Sequence, residues 1–311
     1  MKRLSIIVPC YNEQETIDIY LQEMKQVESN MSLEFEYLFV NDGSNDETII
    51  RLKEAANKYT NVNYISFSRN FGKEAALIAG LEAVTGDLIT VMDVDLQDPP
   101  ELLPEMYEKI QEGYDIVGTR RSNRVGEPVL RSFFAKKFYQ VINRISDTEM
   151  VDGARDFRLM TRQVVDAILE LNEVNRFSKG IFSWVGFDTY YISYENRERS
   201  AGETTWNFWS LFKYSLEGII NFSEAPLTFA TLVGLGSCII SILAMIYFFL
   251  DNLVKQNPVP GWPSLVCIIL FLGGLQLFCL GIVGKYIGKI FTEVKKRPNY
   301  IIKESYFKSE E

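Results

Sequence analysis

The most chemically loaded stretch of this 311-residue chain is Val91–Glu101, which reads V-M-D-V-D-L-Q-D-P-P-E. Asp93, Asp95, Gln97 and Asp98 follow directly on the apolar run Leu88–Met92, which has the length and β-branched content of a buried strand. Open α/β sheets bind ligands at the carboxyl ends of their strands, where these carboxylates would stand. Two aspartates two residues apart, on a chain leaving a strand, can turn toward one divalent cation. Hard oxygen donors of this kind suit Mg²⁺ or Mn²⁺, ions often shared with substrate phosphates. The plainer alternative is a solvated acidic turn before a helix that starts at Pro99-Pro100; Asp98, directly ahead of those prolines, is read as the helix cap and not as a ligand.

Three more strand ends carry polar groups. Pro9-Cys10-Tyr11-Asn12-Glu13 follows the strand Leu4–Val8, and Asn41-Asp42-Gly43-Ser44 follows Glu36–Val40. Ser68-Arg69-Asn70-Phe71-Gly72-Lys73 follows Asn63–Phe67. Turn formation explains Asn-Asp-Gly-Ser by itself, but four successive polar ends fit one shared pocket better. Carboxylates there can hold a base and ribose by hydrogen bonds, and Arg69 or Lys73 can face a diphosphate.

These ends need a parallel sheet to bring them together. Tyr114–Val117 is a fifth predicted strand. Helical stripes lie between the strands at Ile17/Leu21/Met24/Val27, Ile49/Leu52/Ala56/Tyr59 and Ala76/Leu77/Gly80/Leu81/Val84. Strands alternating with such helices predict a parallel sheet covered on both faces. Ser44-Asn45-Asp46-Glu47 reads as a capping box for the second helix.

Composition narrows the chemistry. The chain has no histidine, which excludes imidazole as ligand, base or nucleophile activator. The four cysteines (Cys10, Cys238, Cys267, Cys279) form no CxxC pair and read as reduced packing residues. The net charge of −9 lies wholly in residues 1–100, with 17 acidic and 8 basic side chains, which argues against nucleic-acid binding. Ala225–Leu250 and Gln256–Gly284 contain no charged residue, and each exceeds the roughly 20 residues that a membrane-crossing helix needs. Lys285, Lys289, Lys295, Lys296, Arg297 and Lys303 follow, so the positive-inside rule puts that tail in the cytoplasm. Two spans return the amino-terminal part to the same side. Basic amphipathic Leu130–Ile145 and aromatic-rich Trp206–Phe222 read as interfacial helices, with Trp206 and Trp209 as anchors. The expected organisation is a cytoplasmic catalytic domain over residues 1–224 (interfacial helices near 128–146 and 206–222), a membrane hairpin over 225–289 and a basic tail over 290–311. Gly273, Gly274, Gly281 and Gly284 in the second span allow close helix contact.

The array of strand ends resembles the family 2 glycosyltransferases of the GT-A fold. P-C-Y-N-E, V-N-D-G-S, S-R-N-F-G-K-E-A-A, D-V-D-L-Q-D-P-P-E, D-F-R-L-M, R-F-S-K-G and F-S-E-A-P-L occur in order along nearly the whole chain. They are similar to the polyprenyl-phosphate branch, which contains dolichol-phosphate mannose synthase and bacterial undecaprenyl-phosphate sugar transferases with two spans. The resemblance implies an α/β GT-A fold with a mostly parallel, Rossmann-like sheet. It also implies a bacterial plasma-membrane enzyme with both termini cytoplasmic, which moves a sugar from a nucleotide diphosphate to a polyprenyl phosphate. UDP-glucose and UDP-N-acetylglucosamine are the favoured donors, and the resemblance further implies a homo-oligomer. By the same resemblance Asp42 and Asp93 bind nucleotide, and Pro9, Tyr11 and Glu13 line the donor pocket beside Arg69 and Lys73. Asp95 and Gln97, with Asp93, hold Mg²⁺ or Mn²⁺. Arg120 and Arg131 hold the acceptor phosphate, and Asp156 matches the catalytic base. Arg124 is a further candidate clamp. The family's Arg-x-x-Gly-x-Ser-Lys stretch appears here as Arg199-Ser200-Ala201-Gly202-Glu203-Thr204-Thr205, which keeps Arg199 for the phosphate but lacks the lysine.

The chemistry implied is coherent. The leaving diphosphate needs a metal ion and cations, which Asp95, Gln97 and the ion supply. A phosphate monoester has a second pKa of about 6, so the acceptor needs placement more than deprotonation. Arg120, Arg124 and Arg131 are suited to that placement, and Asp156 is expected to orient rather than to abstract a proton. Direct in-line attack inverts the anomeric centre. A processive polysaccharide synthase would need a Q-x-x-R-W motif, and no Arg-Trp dipeptide occurs. A dinucleotide oxidoreductase fails because Gly234-Leu235-Gly236 lies inside the first apolar run. A membrane-anchored nucleotide-sugar sensor that has lost catalysis is the remaining alternative.

Overall fold

The computed structural model describes residues 1–121, 137, 139–146, 148, 150–195, 218–255 and 261–308. Eight strands form one sheet: β1 (Arg3–Cys10), β2 (Glu34–Asn41), β3 (Val62–Phe67), β4 (Leu88–Val91), β5 (Ile116–Arg121), β6 (Ala154–Thr161), β7 (Thr189–Tyr194) and β8 (Ile302–Tyr306). Their order is β7-β5-β6-β4-β1-β2-β3-β8. The helices are α1 (Ile17–Ser29), α2 (Thr48–Lys58), α3 (Lys73–Ala83), α4 (Leu103–Gln111), α5 (Arg162–Leu169), α6 (Ser178–Trp184), α7 (Ala225–Lys255) and α8 (Trp262–Lys295).

Side-chain alternation along the strands divides the core in two. Leu4, Ile6, Val8, Phe35, Tyr37 and Phe39 pack under α1, α2 and α4. Ile7, Leu38, Val40, Ile89 and Val91 pack under α3, α5 and α6. β4, β1, β2 and β3 are neighbours and parallel, so the four polar strand ends emerge side by side. The sheet order reverses between β1 and β4, the place where doubly wound sheets open a crevice. β6 runs antiparallel between β4 and β5, with Arg158 opposite Val91.

Four strands fall where the sequence pattern puts them, and the fifth, expected at Tyr114–Val117, runs over Ile116–Arg121. β6, β7 and β8 do not appear in that pattern, because short strands paired at long range leave a weak local signature. The capping box does not form. α2 begins at Thr48, whose N–H and hydroxyl both donate to Asp46 Oδ1, while the Ser44 hydroxyl donates to Asn41 Oδ1. A 3₁₀ turn (Pro100–Leu102) precedes α4 at the expected helix start. Cys10 is buried, as expected of a packing residue, whereas Cys238 lies exposed on α7.

α7 and α8 contain two stretches long and apolar enough to cross a membrane, Ala225–Tyr247 and Ile268–Lys295. Large apolar side chains such as Leu232, Ile240, Phe271 and Leu277 stand exposed along them. No heavy atom among the described residues lies within 4 Å of a Cβ built on Gly273, Gly274, Gly281 or Gly284. Of the expected interfacial helices, residues 122–136 and 196–217 lie outside the described residues, including Trp206 and Trp209. Residues 139–145 are helical, but their apolar side is divided: Ile142 is buried with Met150 and Phe177, while Val141 is exposed.

The chain beyond α8 returns to the sheet. The Tyr300 ring stacks on Phe67 with centroids 5.0 Å apart, Ile301 O accepts the Ser68 N–H at 2.9 Å, and β8 pairs antiparallel with β3. The tail is therefore the sheet's edge strand.

α3 is buried along almost its whole length, and a Cβ on Gly80 would stand 2.3 Å from Ile7 Cγ2. Alanine gains about 1 kcal/mol of helix propensity over glycine. Overpacking a core contact costs about 1–3 kcal/mol, and Ile7 is fully buried with no room to retreat. Gly80→Ala is therefore expected to lower the melting temperature despite the better helix former; a rise in Tm would contradict this close approach.

Candidate active site

The Lys73 ammonium is the centre of the site. It is the first residue of α3 and reaches Asp93 Oδ1 at 2.7 Å and Asp156 Oδ2 at 2.6 Å. Asp93 follows β4 and Asp156 is the third residue of antiparallel β6, so three elements meet on one cation. Burial alone would raise the Asp156 carboxyl, but Lys73, then Lys179 and Arg158, hold it well below the usual carboxylate range. Burial opposes the charge on Lys73, yet Asp156 and Asp93 raise its pKa and keep it protonated.

Asp42 shapes the loop that delivers Lys73. Its Oδ1 accepts the Phe71 N–H at 2.6 Å and its Oδ2 accepts the Gly72 N–H at 2.9 Å. Burial raises the Asp42 carboxyl, and these two N–H donors and Arg69 oppose the shift. Gly43 permits the close approach: its φ is +63°, and a Cβ there would lie 2.2 Å from the Arg69 carbonyl carbon. Arg69 is exposed, lies 3.9 Å over the Phe71 ring and donates to Asn70 O at 2.9 Å.

On the β1 side, Pro9 lies in the strand and Tyr11 is exposed at its end. The Glu13 carboxylate accepts the Thr16 hydroxyl, and its own N–H donates to Thr48 Oγ1. On the β4 side, Asp95 is buried and its Oδ1 accepts the Gln97 N–H at 3.2 Å. Leu96 between them has φ +56°, a left-handed conformation that costs a non-glycine residue energy and recurs at ligand sites. The turn it makes brings Gln97 back beside Asp95. Gln97 Oε1 in turn accepts from Arg121 at 3.4 Å.

Asp93, Asp95 and Gln97, the metal ligands expected from the sequence, would offer an ion oxygen donors only. The described residues contain no group of three His, Cys, Asp or Glu side chains able to hold a metal by themselves. Two carboxylates and an amide fit Mg²⁺ or Mn²⁺, because such ions are usually held by one or two carboxylates with substrate phosphates completing the shell.

Asp98 is not a helix cap. It is buried, and its Oδ1 accepts Arg155 Nε at 2.9 Å and the Tyr194 hydroxyl. Burial, reinforced by the Asp98 charge, pushes Tyr194 up to about 12. This network lies behind the metal-candidate turn, linked to it through Arg121. Residues 98, 155 and 194 are far apart in the chain and leave no local signal. Only Arg155, beside Asp156 in the D-F-R-L-M motif, could have been suspected.

Arg120 is exposed on β5 and donates through Nε to Ser193 Oγ at 2.8 Å. Arg124, Arg131 and Arg199 lie outside the described residues. The structure thus brings Asp93, Lys73 and Asp156 into direct contact, with Asp95 and Gln97 adjoining and Asp42 behind the loop.

Residues 5–169 match the family model described as Glycosyl transferase family 2. The chain belongs to that family. It is 45% identical over 302 residues to the Bacillus subtilis protein CsbB, covering 97% of this chain and 92% of the relative. It is 44% identical over 304 residues to the SfII prophage-derived bactoprenol glucosyl transferase of Shigella flexneri, covering 98% of each chain. Among solved structures, glucosyl-3-phosphoglycerate synthase of Mycobacterium tuberculosis, in complex with Mn²⁺ and UDP-glucose, is 18% identical with a TM-score of 0.45, covering 70% of this chain and 77% of that one. As a family 2 glycosyltransferase with the expected mostly parallel sheet, this chain is an enzyme of sugar transfer.

In this glycosyltransferase the Asp98–Arg155 pair also supports the fold. Removing one partner of a buried pair leaves the other charge uncompensated, at about 3–5 kcal/mol. Arg155 is partly solvated, so Asp98→Asn is expected to cost near the lower end, about 3 kcal/mol, read as a lower unfolding midpoint in detergent. An unchanged midpoint would remove the pair from the stability of the site.

Proposed function

We propose that this enzyme transfers a sugar, glucose or N-acetylglucosamine foremost, from a UDP-sugar to undecaprenyl (polyprenyl) phosphate with inversion at the anomeric carbon. The observation that carries the reading is the Lys73 bridge, which joins the nucleotide-side carboxylate Asp93 to Asp156. Support for the acceptor class comes from the bactoprenol glucosyl transferase of Shigella flexneri, alike over 98% of both chains, and from the two apolar helices. β8 pairs with β3, which favours an even number of crossings, with the catalytic domain and the basic tail together on the cytoplasmic face.

In the proposed reaction an acceptor phosphate oxygen attacks the anomeric carbon as the bond to the β-phosphate oxygen breaks, and UDP departs with the bonding pair. No proton need move. Asp95 and Gln97, with Asp93, would hold Mg²⁺ or Mn²⁺, which when bound supplies Lewis-acid charge to the diphosphate. The Lys73 ammonium adds a fixed positive charge at the junction of donor and acceptor. Asp156, held ionised by its cations, orients Lys73 and is a poor proton acceptor. Arg120, exposed near the end of the otherwise buried β5, would meet the acceptor phosphate together with Arg124, Arg131 and Arg199. Pro9, Tyr11, Glu13, Asp42 and Arg69 frame the donor.

The direct test is incubation of the purified full chain with undecaprenyl phosphate, Mg²⁺ and, in turn, radiolabelled UDP-glucose, UDP-N-acetylglucosamine, UDP-galactose and GDP-mannose. Label is expected in the lipid phase with one UDP-sugar. No lipid label from any donor would favour a nucleotide-sugar sensor.

The pH profile separates the two roles open to Asp156. Its depressed carboxyl stays ionised down to acidic pH, so it cannot set a limb near neutrality. The acceptor phosphate gains its second charge at about pH 6, and activity is expected to fall as pH drops through that value. Asp156→Asn, which loosens the hold on Lys73, is expected to lower turnover by about a hundredfold while leaving that midpoint in place. Loss of the limb in this variant would make Asp156 the titrating base.

A further inference from the structure

The loop that carries Arg69 and delivers Lys73 has little packing of its own. Ser68, Arg69 and Asn70 are exposed, and Phe71 and Gly72 are half-buried. Exposed loops with few buried contacts open locally at low cost. Asp42 holds this one from the β2 side. The chain beyond α8 holds it from the other. Ile301 O accepts the N–H of Ser68, the first residue of the loop, at 2.9 Å. The Tyr300 ring stacks on Phe67 at 5.0 Å, and the Phe67 ring meets Phe71 edge to face at 5.8 Å. The Arg69 guanidinium in turn lies 3.9 Å over Phe71. The Tyr300 hydroxyl donates to Glu82, near the far end of α3. Tyr300 therefore grips both the strand before the loop and the helix after it.

Other contacts also hold the tail to the domain. Tyr306 stacks on Tyr64 with centroids 5.9 Å apart, Glu304 pairs with Lys53 of α2 at 2.7 Å, and the Lys308 N–H donates to Asn63 at 3.0 Å. Asn63 and Tyr64 lie in the first half of β3, away from the loop. Only Lys296-Arg297-Pro298-Asn299 separates Tyr300 from α8, so a long apolar helix ends almost on the donor side of the site.

Resting on the donor pocket proposed above, we propose that Tyr300 is a positioning residue for the nucleotide diphosphate. Through Phe67 and Phe71 it sets where the Arg69 guanidinium stands. An arginine that meets a diphosphate binds it better when already held in place, because ordering a free side chain on binding costs affinity. Phe71 supplies that order to Arg69 only while Phe71 itself is fixed. Its backbone is fixed by Asp42 and its ring by Phe67, which Tyr300 covers.

The test compares wild type, Tyr300→Ala, Tyr300→Phe and Tyr306→Ala as full chains in detergent. Amide hydrogen exchange is followed without nucleotide, and UDP is titrated with Mg²⁺ present. Tyr300→Ala is expected to speed exchange over residues 68–72 about fivefold or more and to weaken UDP binding about tenfold. Tyr300→Phe keeps the ring stack and is expected to retain the wild-type affinity. Tyr306→Ala removes a ring stack from the same tail away from the loop, and is expected to leave both readouts within about twofold. Equal effects of Tyr300→Ala and Tyr306→Ala on exchange or on UDP affinity overturn the positioning role. Faster exchange with unchanged UDP affinity overturns it too. A wild-type chain that binds no UDP sinks the UDP-sugar reading instead, and the exchange comparison then decides the hold on the loop.

Discussion

One ammonium group holds the reactive end of this molecule together. Asp93 and Asp156 arrive from β4 and from an antiparallel strand, and without a cation between them two carboxylates this close would repel and force one to take up a proton. Lys73 removes that conflict at 2.7 and 2.6 Å. Much of the surrounding packing fixes where that ammonium stands. Asp42 binds the backbone that precedes α3, Gly43 lets this loop approach, and Gly80 lets α3 lie close on β1. The elements are tied to a position more than to one another.

A second constraint ties this centre to the apolar helices. Tyr286 donates to Ser223 O at 2.6 Å, and Glu293, Lys289 and Thr292 all bond to Asn175. Past α8 the chain adds β8 to the edge of the sheet. The helices are thus fastened to the catalytic domain by side chains at the base of α8 and by a strand, not by a linker alone. For the proposed acceptor, a phosphate at the end of a hydrocarbon chain, the apolar surface and the reactive pocket need one common frame, and these contacts supply it.

Much of the fold was legible. The first five strands show as short apolar runs bounded by turn residues because the sheet is covered on both faces, and α1 and α2 show the 3.6-residue repeat because each buries one side; α3, buried almost all round, shows as an apolar stretch. β6, β7 and β8 were not legible, since their identity as strands depends on partners far along the chain. The site was half legible. Asp93, Asp95 and Gln97 stand out because polar residues directly after an apolar run have no packing reason to be there. The Asp98–Arg155–Tyr194 network was misread at Asp98 as a cap, because a residue before two prolines looks local while its partners lie 57 and 96 residues away.

By itself the sequence determined the family, the acidic strand end, the reliance on carboxylates and cations in a chain without histidine, and the two long apolar helices. These follow from residue type and short-range order, which need no folded partner to be read. Only the tertiary structure decided that Lys73 lies between Asp93 and Asp156, that Asp98 is a buried counter-ion and that the tail adds the edge strand of the sheet. Each of these depends on strand order and crossing direction. A sheet that reverses between β1 and β4 and admits an antiparallel strand brings together residues whose separation along the chain carries no trace of the contact.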